Sequence, residues 1–353
     1  MWPDRRLLDL FGIEAPILQA PMAGAQGSAL AIAVSEAGGL GALPCALLTA
    51  AQARAELLII RQRTDKPFNL NFFCHAPPVP DPAREARWVA RLAPYRRELG
   101  VEVEALPGGR APFGEEACAL VEEFRPRVVS FHFGLPVEAL LARVRGAGAK
   151  IIASATTVEE ARWLEARGVD AIIAQGSEAG GHRGMFLSAD VASQPGTFAL
   201  VPQVVDAVRV PVIAAGGIGD GRGIAAAFML GAAGVQIGTA YLLSDESTIS
   251  PIYRAGLKAA RDDQTALTNV FTGRPARGIV NRAVRDIGPL SADAPAFPGA
   301  SNAMLPLRQK AEAQGSGDFT PMWSGQAPVF AREGGAGALT EALAREALAL
   351  LAR

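Results

Sequence analysis

The sequence contains little cysteine, little histidine and no long apolar run. Its three cysteines, Cys45, Cys74 and Cys118, suit neither a disulfide framework nor a cysteine metal site, which favours a reducing cytoplasm. The three histidines have no metal-ligand spacing with carboxylates, so we predict no metal. The N-terminus does not resemble a signal peptide, and no apolar run reaches the roughly 18 residues that span a membrane. We therefore predict a soluble, cytoplasmic protein with no membrane contact.

An excess of charge of one sign is also missing. The chain has 34 basic and 35 acidic residues, a formal net charge of −1, and its Lys and Arg are scattered. A nucleic-acid-binding surface needs a basic stripe, so we predict no nucleic-acid partner. Half of the 353 residues are hydrophobic, which is enough to bury a large core and argues against disorder.

What the sequence does contain is a regular alternation of short apolar runs and helical segments. Nearly continuous apolar strands that alternate with helices are typical of a parallel sheet buried on both faces. Eight such units in about 240 residues predict a closed (β/α)8 barrel, the TIM barrel fold. The alternative, an open doubly wound sheet, needs a glycine fingerprint that Met22–Ser28 only loosely resembles. The predicted strands are Pro16–Met22, Leu40–Pro44, Phe68–Phe73, Val128–Phe133, Lys150–Ser154, Val169–Gln175, Val210–Ala215 and Gly234–Gly238.

Two stretches interrupt this alternation. Residues 81–126 predict an elaborated third β–α connection, with charged helical segments and a turn at Leu106–Gly109. After the eighth strand we predict a strand at Thr268–Gly273 and a polar loop at Arg274–Ile279. We therefore assign 1–244 with 316–353 to the barrel, and 245–315 to a small, mainly helical domain that covers the substrate.

Glycines cluster after the seventh and eighth strands, at Ala215–Asp220 and Gln236–Thr239. Phosphate groups commonly bind at these two loops of a barrel. Backbone N–H groups and a helix N-terminus can bind a dianion there, and the Thr239 hydroxyl adds a donor. Tight turns alone would also explain the glycines, but their presence at both loops favours a phosphate. With the Met22 thioether and the Asn71 and Gln175 carboxamides, they favour flavin mononucleotide (FMN) over a sugar phosphate.

The loop Gln175–Gly184 surrounds one histidine, His182, with four glycines directly after a predicted buried strand. This layout is typical of an active-site loop. Imidazole serves as acid or base near neutral pH, so His182 is the predicted catalytic residue. His132, on the fourth strand, is either a substrate contact or a hydrogen-bonded core residue, and we expect His75 at a loop surface.

Several segments together resemble the nitronate monooxygenases, formerly 2-nitropropane dioxygenases, which are FMN-dependent TIM-barrel enzymes. The histidine loop, combined with Gly273-Arg-Pro-Ala-Arg277, is the specific part of the resemblance. It extends over most of the chain, through Pro16–Gly24, Phe68–Phe73, Ser130–Gly134, Gln175–Gly184, Ala214–Gly219, Gln236–Thr239 and Phe271–Gly278.

The resemblance implies that His182 lies near the flavin N5. It implies oxidation of alkyl nitronates such as propionate 3-nitronate, or of nitroalkanes, with O2 and without reduced nicotinamide. Asn69 is an alternative to one of the implied flavin ligands, Asn71. The implied FMN-binding residues are Met22, Asn71, Gln175, Gly180, Gly217, Gln236, Ile237, Gly238 and Thr239.

Charge suggests how His182 would act. A nitronate is already an anion, so a protonated His182 would hold its nitro oxygens; a neutral His182 would remove the α-proton of a neutral nitroalkane. The alternative function is an FMN-dependent enoyl-thioester reductase, which needs a nicotinamide site and contacts to an acidic acyl carrier. No basic patch for such a carrier is evident. The oligomeric state is open, with a homodimer as one possible assembly.

Overall fold

Eight short parallel strands form a barrel in the computed structural model, which describes residues 1–102, 105 and 111–353. The turn expected at Leu106–Gly109 lies outside the described residues. The barrel strands are β1 to β6, β8 and β9, and β7, β10 and β11 form a second sheet. In chain order the strands are β1 Ile17–Gln19, β2 Gly41–Pro44, β3 Phe68–Phe73, β4 Val128–His132, β5 Lys150–Ala155, β6 Ala171–Gln175, β7 Gly181–His182, β8 Val212–Ala215, β9 Gly234–Ile237, β10 Thr265–Thr268 and β11 Ala276–Ile279.

Helices follow most of the barrel strands, as the sequence predicts. Thr49, the predicted N-cap, accepts a bond from the Gln52 amide at 3.2 Å, and the Gln52 side chain accepts the Thr49 amide in return. The helices are α1 Arg6–Phe11, α2 Ser28–Glu36, α3 Ala50–Arg63, α4 Pro82–Leu99, α5 Glu115–Phe124, α6 Glu138–Gly146, α7 Val158–Glu165, α8 Thr197–Ala207, α9 Gly221–Met229, α10 Pro251–Ala259, α11 Arg282–Ile287, α12 Ala300–Ala313 and α13 Ala336–Leu351.

The barrel is closed between its first two strands. The strand order is β1-β9-β8-β6-β5-β4-β3-β2. Residue Leu40, just before β2, donates its amide to the Ile17 carbonyl at 2.9 Å and accepts the Gln19 amide at 3.0 Å. The strands are almost wholly buried because helices cover the outer face of the barrel and side chains fill its interior. The predicted (β/α)8 barrel is therefore confirmed.

A second, three-stranded sheet lies beside the barrel, in the order β10-β11-β7. The loop expected at Arg274–Ile279 is wrong, because Ala276–Ile279 pairs antiparallel with both neighbours and is buried. The strand expected at Thr268–Gly273 is also misplaced, since β10 ends at Thr268 and Gly273 adopts a φ of +88° in the turn that follows. This sheet holds His182 opposite Ala276.

A separate hydrophobic cluster joins α4 to α11 and α12. Trp88 of α4 is 1% exposed, and its indole N–H donates to the Ala300 carbonyl at 3.2 Å. The long third β–α connection thus packs against the segment that follows the barrel strands. In the part of the chain that the structure describes, we find no helix with the length and apolar character needed to cross a membrane.

Candidate active site

A cavity of about 380 Å³ opens at the carboxyl ends of the barrel strands. All but one of the predicted site residues line it; the exception, Ile237, is 1% exposed and packs in the core. Residues from the segment after β9 complete the wall. The predicted residues on the cavity are Met22, Asn71, His132, Gln175, Gly180, His182, Gly217, Gln236, Gly238 and Thr239, and the later ones include Thr248, Ile249, Ser250, Tyr253, Arg308 and Trp323.

The two candidate asparagines lie on one strand, β3, but differ in their access to the cavity. Asn69 and Asn71 both donate to the Ser130 hydroxyl at 2.9 Å, as alternate residues of one strand that face the barrel interior. Only Asn71 reaches the cavity wall. Of the two alternatives, the geometry therefore favours Asn71.

The Gln175 carboxamide holds the histidine loop in place. Its Nε2 donates to the His182 carbonyl at 3.0 Å, and its Oε1 accepts the Gly184 amide at 2.7 Å. Gly181 turns the chain with a φ of +72°, and a Cβ on Gly180 would lie 2.6 Å from the Gly325 amide nitrogen. Glycine is thus required where this loop approaches residues 324–325.

Three arginines donate to carbonyls in or beside the loop: Arg183 and Arg277 are buried, and Arg274 is partly buried. The Arg183 guanidinium is 0% exposed and donates to the carbonyls of Gln175 and Gly176 at 2.7 and 2.5 Å. Arg277 donates to the Ser177 carbonyl at 2.9 Å, and Arg274 donates to the Met185 carbonyl. Burial lowers the pKa of Arg183 and of Arg274 to about 10, which leaves both cationic at neutral pH.

No role for these arginines was predicted from the sequence. Arg274 and Arg277 lie in the motif Gly273-Arg-Pro-Ala-Arg277, which resembles the nitronate monooxygenases. The extent to which the fold buries them cannot be read from the sequence. Among the residues the structure describes, none of the three guanidiniums has an ion-pair partner within 4.0 Å. The carboxylates of Glu160 and Glu178 nevertheless interact electrostatically with them, Glu160 with Arg183 and Arg274, and Glu178 with Arg183 and Arg277.

His182 lies among aromatic rings and contacts a buried threonine. Its Nε2 is 2.9 Å from the Thr272 hydroxyl. The ring centroids of Phe297 and Trp323 lie 5.3 and 5.5 Å from its own. Thr272, Phe297 and Trp323 were not predicted, because they come from segments far along the chain that only the fold brings to the loop. The aromatic walls suit a flat or apolar group beside the histidine.

His132 is a fully hydrogen-bonded residue beneath the loop. Its Nδ1 lies 3.0 Å from the Ser154 hydroxyl and its Nε2 lies 3.1 Å from the His182 carbonyl. Because a carbonyl only accepts, Nε2 carries the proton and Nδ1 accepts from Ser154. Burial lowers the pKa of His132 to about 3, so the ring is neutral. Of the two alternatives for His132, this geometry favours the core residue, although the ring also lines the cavity.

The expected surface position of His75 is wrong. The residue is 5% exposed and packs edge to face on Phe297, with ring centroids 4.8 Å apart. Phe73 and Phe133 complete the same aromatic group. The loop after β3 folds inwards against the segment that contains Phe297, a long-range contact without a local sequence signal.

Part of the expected phosphate site fits a bound ligand. Gly216 and Gly217 have φ values of +116° and +71°, which let the backbone turn around the cavity wall. The Thr239 hydroxyl accepts the Gly325 amide at 3.0 Å, which leaves its own proton to donate elsewhere. Gln236 Oε1 is buried without a partner among the described residues. An orphaned acceptor on a cavity wall fits a ligand that donates, as a flavin ring N–H does.

The expected contribution of a helix N-terminus is wrong. The Asp220 carboxylate accepts the amides of Arg222 and Gly223 at 3.0 and 3.1 Å, and Glu346 accepts the amide of Gly221 at 3.1 Å. These carboxylates occupy the first amides of α9, which are then unavailable to a phosphate. Within the described ranges, no group of three His, Cys, Asp or Glu residues could hold a metal ion.

Comparisons with known proteins agree with this arrangement. A family model described as nitronate monooxygenase matches residues 4–346. The nitronate monooxygenase of Pseudomonas aeruginosa is 44% identical over 345 residues, which cover 97% of this chain and 98% of that protein. A crystal structure of nitroalkane oxidase from Streptomyces ansochromogenes is 41% identical, with a TM-score of 0.89 and 98% of each chain covered. FabK from Thermotoga maritima is 30% identical, with a TM-score of 0.74 and coverages of 98% and 97%. This chain is therefore an oxidoreductase that belongs to the nitronate monooxygenase family, a family of flavoenzymes.

Proposed function

We propose that this enzyme uses FMN and O2 to oxidise alkyl nitronates, such as propionate 3-nitronate. The products are the carbonyl compound and nitrite or nitrate, and no NAD(P)H is consumed. The proposal places the enzyme in the cytoplasm, with a nitronate or nitroalkane and O2 as its small-molecule partners.

One observation carries the proposal: His182 lines a cavity in which the rings of Phe297 and Trp323 lie beside it, at centroid distances of 5.3 and 5.5 Å. Among the described residues that line the cavity there is no carboxylate, and the guanidinium of Arg308 is paired with Glu312 at 2.8 Å. A nitronate is a small anion, so a lining without carboxylates among the described residues would not repel it from His182.

The chain would divide its work between the two sides of the cavity. Met22, Asn71, Gly217, Gln236 and Thr239 would hold the flavin and its phosphate, with donors and acceptors that face the cavity. The bound flavin would supply an electron acceptor that O2 reoxidises. His182 would bind the nitro oxygens of a nitronate when protonated and would accept the α-proton of a nitroalkane when neutral.

We also propose that the segment 245–315 acts as a cover over the substrate. Ile249, Ser250, Tyr253 and Arg308 come from this segment and line the cavity. Tyr253 donates its hydroxyl to the Trp323 carbonyl, which ties the cover to the wall beside His182. A cover of this kind would exclude water from the reacting groups.

Oxygen uptake by the purified flavin-containing protein tests the proposal directly. The enzyme should consume O2 on addition of propionate 3-nitronate, without any nicotinamide present. Oxidation of NADPH that depends on a crotonyl thioester would instead establish the alternative, an enoyl-thioester reductase. A flavin-loaded protein with neither activity would contradict both enzymatic functions.

A further inference from the structure

Strand β11 pairs along one edge with two segments that lie far apart in the sequence. His182 of β7 lies opposite Ala276, and Trp323 lies opposite Gly278 in an isolated antiparallel bridge. Residues two apart in a strand project to the same face of a sheet, and directly opposed residues share a face. His182 and Trp323 therefore project from the same face of this sheet, side by side.

Trp323 is held in this position through its backbone and its ring. Its carbonyl accepts the Tyr253 hydroxyl. Gly278 leaves room for the indole, because a Cβ on this glycine would lie 3.0 Å from Trp323 Cε3. The Phe271 ring packs edge to face on the indole, with centroids 5.7 Å apart. The indole therefore has little freedom to swing away from His182.

Aromatic rings leave little space beside the His182 imidazole. The ring centroids of Phe297, Trp323 and Phe73 lie 5.3, 5.5 and 6.1 Å from that of His182, separations typical of rings in contact. Trp323 also lines the cavity, as His182 does. A ligand in contact with His182 therefore meets the indole of Trp323 as well.

We propose that Trp323 is a specificity-determining residue that limits the bulk of the group on the nitro-bearing carbon of the substrate. A compact group, as in the nitronate of nitroethane, is accommodated beside the indole. A bulky group, such as the ring of nitrocyclohexane, overlaps the indole, which cannot move aside. The identity of the substrate rests on the proposed function, whereas the position of the indole does not.

Oxygen uptake with the nitronates of nitroethane and nitrocyclohexane tests this role in the flavin-containing enzyme. In the unmodified enzyme, kcat/KM should be lower for the bulky nitronate by about tenfold or more. Trp323→Ala removes the indole, so the ratio of bulky to compact kcat/KM should rise by about tenfold or more. Trp323→Phe removes one of the two fused rings and should give an intermediate ratio; it decides the question if Trp323→Ala does not fold.

Trp2→Phe provides the matched control for Trp323→Phe. Trp2 stacks on Phe228 with ring centroids 5.5 Å apart and lies outside the described lining of the cavity. The same chemical change there should leave the ratio of kcat/KM values unchanged. A ratio that stays at the unmodified value in the folded Trp323 variants would overturn the inference.

A binding measurement distinguishes failure of this inference from failure of the proposed function. Carboxylates are unreactive analogues of nitronates, because both have two oxygens that share one negative charge. The absorption spectrum of the bound flavin gives the dissociation constants of propionate and cyclohexanecarboxylate. Trp323→Ala should strengthen the binding of cyclohexanecarboxylate relative to propionate by about tenfold.

This second measurement decides the role of Trp323 if the unmodified protein oxidises neither nitronate, a result that would contradict the proposed function alone. A relative gain for cyclohexanecarboxylate in the Trp323 variants, but not in Trp2→Phe, would then support the inference. The same relative binding in all the proteins, or no binding of either carboxylate to any of them, would overturn it.

Discussion

At the scale of single residues, one substitution can separate the two roles that we propose for His182. Asparagine at this position donates a hydrogen bond but cannot take up a proton. His182→Asn should lower kcat/KM for a neutral nitroalkane by a factor on the order of 10²–10⁴, the usual contribution of a general base. For the nitronate of the same compound, the loss should be about tenfold.

Oxygen uptake with both forms of one nitroalkane measures this difference. The two forms are each other's control, because they share all atoms except the transferred proton. Equal losses on the two substrates would contradict the division of roles.

A second prediction at this scale concerns the effect of His132 on the free energy of unfolding. Burial lowers its pKa from the ordinary 6.5 to about 3 in the folded protein. Between these values the unfolded chain binds a proton that the native state does not, so the free energy of unfolding falls as the pH decreases. From about pH 7.5 to about pH 5, this residue should account for a loss of about 2 kcal/mol.

Urea unfolding of the unmodified protein and of His132→Gln at both pH values measures this contribution. Other groups also titrate in this range, so the quantity of interest is the difference in pH dependence between the two proteins. The variant should lose about 2 kcal/mol less on acidification. Identical pH dependence would show that His132 is not held neutral.

At the scale of elements, the histidine loop and β4 fit closely around one glycine. A Cβ on Gly184 would lie 2.8 Å from His132 Cε1 and 3.0 Å from the Ser154 Cβ. His132 cannot move aside without breaking its two hydrogen bonds. Gly184→Ala should therefore lower the free energy of unfolding by about 1–3 kcal/mol, as overpacking does.

Gly146→Ala provides the matched control. Gly146 is the last residue of α6, and a Cβ there meets no heavy atom within 4 Å. This change should leave stability unchanged or raise it by up to about 1 kcal/mol. Equal effects of the two substitutions in chemical denaturation would contradict the close packing inferred for Gly184.

The elements also show where prediction from the sequence succeeds. The barrel strands were predictable because each is a short run of buried residues flanked by turn-forming residues. The strand β11 was not, because Arg277 in its centre is polar in the sequence and yet buried, with a hydrogen bond from its Nε to the Ser177 carbonyl. Its β-structure depends on pairing with β7 and β10, two segments that carry little signal of their own.

At the scale of the whole molecule, cofactor binding should stabilise the fold. A ligand that binds only the native state at about 100 times its Kd stabilises it by about 2.7 kcal/mol. FMN should therefore raise the Tm of the flavin-free protein. Riboflavin lacks the phosphate that we assign to the loops at Gly217 and Thr239, so at the same concentration it should raise the Tm less.

Thermal unfolding of the flavin-free protein with each compound measures the contribution of the phosphate. Equal shifts with FMN and riboflavin would show that these loops do not bind a phosphate. The absence of a shift with either compound would contradict the flavin site as a whole.

The sequence by itself determined the barrel, the position of the cavity and the identity of its central histidine. These depend on local patterns: apolar strands that alternate with helices, and glycines where strands end. Only the tertiary structure decided what surrounds His182. Thr272, Phe297 and Trp323 reach it from distant parts of the chain. Burial also decided the charge state of His132 and lowered the pKa of Arg183 and Arg274, because a pKa depends on the surroundings of a group and not on its neighbours in sequence.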